Sequence, residues 1–341
     1  MSVNDSASWA WWTAGGALPL RRCFAASVAL MVVLVACGGP VVGDDPTAGD
    51  GPGVGEVAVT DTVSYDEGFP VWVAAAGNVV WVTNGDGTMS RVDADSLEVS
   101  PVSCATCDAK VAVLGDEIWA TNPDEDTVSR IDPGSLTVTD VVPVGQNPIG
   151  IAMTPSAIWV TNVDDGTVSQ IDPDSRTVTA TVQVGGRPWG VAASGDAVWV
   201  TSFDDSMGPS YGSVTRIDAP SATVGEAIVL EGGPSEVAAT DFDVWVTQRD
   251  GDAVSRIDPA TNRVTAEMTV GNGPRGVAIS GGDVWVVNAD DGTVSRVDPT
   301  GQSVVETLDV GEHPIGVAVS GEAVWISDGG SGQGGSLHRI G

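Results

Sequence analysis

From residue 56 onward the chain alternates short Val-rich runs, in which every second position is apolar, with polar segments of the type SGDA, DDG, DP and GxxPxG. Alternation with period two marks half-buried strands, and punctuation by Gly, Pro and Asp marks tight turns. The pattern itself recurs. Trp81, Trp119, Trp159, Trp199, Trp245, Trp285 and Trp325 stand 38, 40, 40, 46, 40 and 40 residues apart. Around each runs a text close to GVAVSGDAVWVTNxDDGTVSRIDPxTxxVxxTVxVGxxP, with a Pro eleven residues before the Trp. That Pro is Pro70, Pro148, Pro188, Pro234, Pro274 and Pro314; the second copy has Asp108 instead. Each unit predicts one four-stranded antiparallel meander.

Such a meander cannot bury both of its faces alone, whereas a radial stack of meanders does so and leaves only short edges. The predicted fold is all-β: a seven-bladed β-propeller with four-stranded antiparallel blades over residues 56–341. Residues 314–341 form an incomplete unit that stops after its third strand, and residues 56–69, EVAVTDTVSYDEGF, have the character of the missing fourth strand. The N-terminal strand is therefore expected to complete the last blade and close the ring.

The segments Val80-Trp81-Val82-Thr83-Asn84, Ile158-Trp159-Val160-Thr161-Asn162 and Val284-Trp285-Val286-Val287-Asn288 resemble the YVTN-type propeller repeats of bacterial surface and exported proteins, with Trp at the Tyr position. The chain is also similar to the wider group that includes virginiamycin B lyase. That second resemblance implies a metal-dependent lyase with histidines and a glutamate near Mg²⁺ at the propeller mouth. His313 and His338 are the only histidines, and His338 falls in a third strand away from the axis, so the histidine pair has no counterpart.

Residues 1–36 read as a signal peptide: Arg21 and Arg22 precede the uncharged run Cys23 to Cys37, too short for a membrane span. Leu34-Val35-Ala36-Cys37 followed by Gly38-Gly39 resembles a bacterial lipobox, which implies lipidation of Cys37 and tethering on the extracytoplasmic face of the cell membrane. An ordinary cleaved signal is the alternative, and the Sec and twin-arginine routes both remain open. Residues 37–55 then form the lipidated Cys and a Gly, Pro and Asp-rich linker.

Composition narrows the function. With 46 Asp plus Glu against 14 Lys plus Arg, and a net charge of -32, the chain would be repelled by nucleic acid and by anionic headgroups. Membrane attachment is expected through the lipid alone, and the propeller is expected to be a monomer.

Some repeated residues are read as structural. The repeated Trp is expected to wedge between blades, and the Arg and Asp of the SRID segments to pair with each other. The DDG loops give an acidic rim that offers hard oxygen ligands, so Ca²⁺ or Mg²⁺ is considered there although no cofactor is expected.

Departures from the repeat mark a candidate site. At the start of the innermost strand the consensus Ile-Gly becomes Val71-Trp72, Ala109-Lys110, Trp189-Gly190, Ser235-Glu236 and Arg275-Gly276. Arg187 and His313 stand just before the repeated Pro, blade four has a longer loop from Phe203 to Gly212 with Met207 and Tyr211, and blade five carries Arg249. Arg187, Trp189, Tyr211, Glu236, Arg249, Arg275 and His313 are thereby predicted to surround the upper channel mouth and take an anionic small molecule or a protein partner. Cys104 and Cys107 are predicted to form a local disulfide. The inner strands read GIAM, GVAA, EVAA, GVAI and GVAV, which predicts a packed channel without catalytic acids and hence a non-catalytic binding module.

Overall fold

The computed structural model describes residues 57–341, apart from positions 66, 67, 105, 108, 205, 207, 209 and 331–333. The signal peptide, Cys37, the linker, Asp108 and Met207 lie outside the described residues. Period-two alternation becomes strand throughout: seven antiparallel sheets follow one another along the chain, the first six running from an inner strand outward in sequence order. Blade one begins at Pro70–Ala76 and blade six ends at Ser303–Asp309. In blade four the outer position is split into Thr223–Val224 and Ile228–Glu231, which both pair with Tyr211–Asp218. Blade seven takes three strands from the C-terminus and its fourth from Val59–Tyr65, antiparallel to Gly335–Ile340 with Thr62 opposite His338. The ring is closed as the split repeat predicts.

Each repeated Trp sits in a separate apolar cluster that joins two successive blades. Trp159, for example, packs with Ala152 and Val168 of its own blade and with Val191, Val198 and Ile217 of the next. Trp325 does the same across the closure, against Val73, Val80 and Val92 of blade one. The strand pairing also sets a repeated Arg beside the Trp, with the guanidinium 5.9 Å from the ring centre at Arg216 and Trp199 and 5.8 Å at Arg296 and Trp285, a cation–π distance.

The expected partnership of Arg with Asp inside SRID is not what forms. Arg130 instead makes two 2.8 Å bonds to Glu117, and Arg296 bonds Asp283 at 2.8 Å, both partners at the start of the second strand. Asp132 and Asp172 accept the backbone N–H of the Ser three residues on and start the turn. The Arg is held by the adjacent strand and the Asp by its own turn, so neither needs the other.

A bulge recurs where the inner strand begins in every blade but the second, between Pro148 and Ile151 and between Pro188 and Val191 among others. It removes a ladder bond, and the Thr of the repeated Val-Thr-Asn segment replaces it. Thr161 Oγ1 accepts the Gly150 N–H at 2.7 Å and donates to the Trp189 carbonyl of the following blade at 2.9 Å. Thr201 and Thr121 make the same double contact. Thr161 is fully buried, so Thr161→Val leaves two backbone groups without partners and is expected to cost about 1–3 kcal/mol, read as a fall in the urea midpoint at unchanged slope.

Candidate functional site

The bulge delivers the two residues after the repeated Pro to the middle of the ring. At the second of these positions blades three and four carry Gly150 and Gly190, where a neighbouring strand crowds in: a Cβ on Gly150 would stand 2.3 Å from the Trp189 carbonyl oxygen. Blades one, two and five place Trp72, Lys110 and Glu236 there instead, all buried. Lys110 Nζ lies 3.3 and 3.4 Å from the two carboxylate oxygens of Glu236. Blades two and five are not neighbours, so this ion pair crosses the axis. The ammonium also stands 5.5 Å from the Trp72 ring centre, and the Trp189 indole hydrogen-bonds the Glu236 carboxylate.

Trp189 closes the space above. Extending from blade four, it packs against Trp72 and Ile315 on one side and against Ala109 and Ile149 on the other. Its ring meets Phe203 edge to face at 5.7 Å. Burial raises the Glu236 pKa and lowers that of Lys110, while each charge favours ionisation of the other.

Arg275 is buried next to this pair. Burial first, and then the like charge of Arg249, bring its guanidinium down to about 10, with Asp290 and Glu236 opposing. Burial and then Arg275 push the His313 imidazole below its ordinary value, again against Asp290. Arg249, Arg275 and His313 thus share one electrostatic neighbourhood with Trp189 and Glu236.

The other two candidates lie apart from it. Arg187 sits on the rim 4.0 Å from Asp164 of the preceding blade. Tyr211 is at the outer side of the blade-four loop, opposite Glu231. Glu236 itself faces Lys110 across the axis, which corrects its expected place at the mouth: both of its carboxylate oxygens are taken up inside the protein. The expectation of a channel without acids fails for the same pair, because the E of EVAA points inward. Trp72 and Lys110 stand at the same repeat position as Glu236 and depart from its Gly, but the repeat position alone does not show that Lys110 and Glu236 meet across the ring.

The DDG carboxylates are used for loop closure. Asp165 accepts the Gln146 N–H at 2.7 Å and Asp291 the Asn272 N–H at 2.6 Å. His313 and His338 do not converge: His338 Nδ1 stands 3.1 Å from the Thr62 hydroxyl in blade seven. Among the described residues no group of three His, Cys, Asp or Glu side chains is placed to hold a metal ion. With a cation beside His313, the mouth does not fit the Mg²⁺ site that the lyase resemblance implies. Cys104 and Cys107 are joined, with Cα atoms 5.7 Å apart, and pack with Trp81 in the cluster between blades one and two.

Burial lowers the His338 pKa. The unfolded chain therefore takes up the proton first as pH falls, so the stability that neutral His338 contributes is present above the unfolded pKa of about 6.5 and is lost progressively as pH falls below it. His338→Gln is expected to flatten the dependence of the urea midpoint between pH 7 and pH 5.

Comparison with other proteins gives the fold. No protein-family profile matches the sequence, and no curated protein sequence is similar to it. A catalytically inactive virginiamycin B lyase from Staphylococcus aureus with quinupristin superposes with a TM-score of 0.67 at 15% identity, over 84% of this chain and 99% of the other. A streptogramin B lyase gives 0.67 at 16% identity, over 84% and 97%. Kuenenia stuttgartiensis hydrazine synthase gives 0.67 at 18% identity, over 82% and 96%. At such identities the likeness is one of architecture: the chain is a seven-bladed β-propeller that resembles the virginiamycin B lyase propeller.

Proposed function

We propose that this protein is a lipid-anchored, extracytoplasmic propeller that binds a carboxylate-bearing small molecule at the channel mouth without turning it over. The observation that carries the reading is the grouping of Arg275, Arg249 and His313 beside Trp189 in a chain of net charge -32. The like charge of Arg249, itself paired with Asp250 at 3.1 Å, disfavours the buried Arg275 guanidinium, and a bound anion relieves this. Trp189 supplies an aromatic face for the apolar part of the ligand. Cys37 supplies the membrane attachment.

The test is a thermal-shift screen of the full chain in detergent against anionic metabolites, with and without divalent metals. Saturable stabilisation by carboxylates, independent of metal and without product, is the expected result. Stabilisation by cationic ligands alone, or by nothing, contradicts it.

A second reading, a metal-dependent lyase, is suggested by the likeness in architecture to the two lyase structures and opposed by Arg275 beside His313. It requires Mg²⁺-dependent consumption of a substrate such as quinupristin, lost in His313→Ala. The same incubation with the wild-type chain separates the two readings.

A further inference from the structure

The axis holds an arrangement that the rim site does not explain. A carboxylate lies between the Lys110 ammonium and the Trp189 indole, with Arg275 contributing a further positive potential. The walls are the rings of Trp72 and Trp189 together with Ile315, Ala109 and Ile149. The Trp72 indole nitrogen is buried there with no hydrogen-bond partner. Lys110 and Trp72 have no exposed surface, and the Glu236 side chain almost none. An ammonium, two indole donors and apolar walls are the elements of a receptor for a carboxylate.

The carboxylate inside comes from the chain, and the backbone at that position does not require it. The equivalent residues in blades three, four, six and seven are Gly150, Gly190, Gly276 and Gly316. Glu236 N accepts the repeat's usual arrangement, donating to Thr247 Oγ1 at 2.9 Å as Gly190 N donates to Thr201 Oγ1 at 2.8 Å. Its side chain is thus an addition to a strand that is otherwise built for Gly.

We infer that the centre of the propeller is a carboxylate-binding cage formed by Lys110, Trp72 and Trp189, occupied from within by the Glu236 side chain. Its ligand class is a small monocarboxylate. The inference differs from the rim reading in its cation and in Trp72, although Trp189 borders both sites, so failure of the one is distinguishable from failure of the other.

The cage is tested by emptying it. In Glu236→Gly the side chain is removed while the residue typical of the repeat is restored, leaving Lys110 buried without its anion. Acetate is expected to raise the melting temperature of this variant saturably above that in chloride at equal ionic strength. Glu236→Gln, which keeps the volume, and the double variant Lys110→Met with Glu236→Gly, which removes the cation, are expected to gain no more from acetate over chloride than the wild-type protein does. If Glu236→Gly fails to fold in chloride, recovery of folded protein by refolding in acetate supports the cage equally, and Glu236→Ala repeats the comparison. A gain from acetate over chloride in both the Gly and Ala variants that is no larger than that of wild type, or failure of both to fold in either medium, overturns the proposal. A response of wild-type protein to acetate belongs to the rim site, which every variant keeps, and is the reference from which the cage response is measured.

Discussion

Lys110→Met is expected to destabilise the propeller by about 3–5 kcal/mol, because it leaves the Glu236 carboxylate buried without its cation. Domain stabilities of about 5–15 kcal/mol make that a large fraction of the total. The cost arises from the stranded charge more than from the loss of attraction. Two ions taken out of water lose solvation that their mutual attraction offsets only while both are present. Lys110→Met combined with Glu236→Leu is therefore expected to recover most of the loss or to exceed wild type. Urea unfolding of the two single variants and the double variant measures this as a coupling energy. A single-variant loss below about 1 kcal/mol would mean that water reaches the pair, in conflict with its burial.

Trp159→Ala is expected to cost about 3–5 kcal/mol through the lost transfer energy and the cavity left between blades three and four. Both blades lose contacts at once, and in a closed ring a weakened seam cannot be relieved by separation of the blades. A matched control is Phe242→Ala, since Phe242 is 84% exposed on a hairpin tip and its removal is expected to change stability by no more than about 0.5 kcal/mol. Thermal unfolding of the two variants side by side distinguishes a wedge from an ordinary surface aromatic.

The fold was readable because a propeller repeats its constraints. The same Trp, Asp-Gly turn and inner-strand Pro return at nearly constant spacing, so seven noisy signals act as one, and the unfinished unit at residues 314–341 announces its closure by residues 56–69. The site was readable only in part. Comparing blades singled out Trp189, Glu236, Arg275 and His313, which do converge, but a position within a repeat carries no information on what stands across the ring. The pairing of Lys110 with Glu236 joins residues 126 apart and depends on ring diameter and side-chain length. The SRID Arg went to Glu117 and Asp283 because strand pairing brings those residues alongside, a register that spacing within one strand does not reveal. The Thr of the repeat carries no separate signal in the sequence, because a hydroxyl in a strand looks like alternation. Its purpose emerges only once the bulge leaves Gly150 N–H without a strand partner.

Ligand binding at the basic mouth is decided most directly by calorimetric titration. Wild-type full chain and Arg275→Met, which keeps the bulk and removes the charge, are each titrated with the carboxylate that stabilises wild type most, at low and high salt. The expected result is saturable binding by wild type that weakens as salt rises, and at least a tenfold loss of affinity in a folded Arg275→Met. Equal affinity in the two proteins would contradict the assignment of the mouth as the binding site.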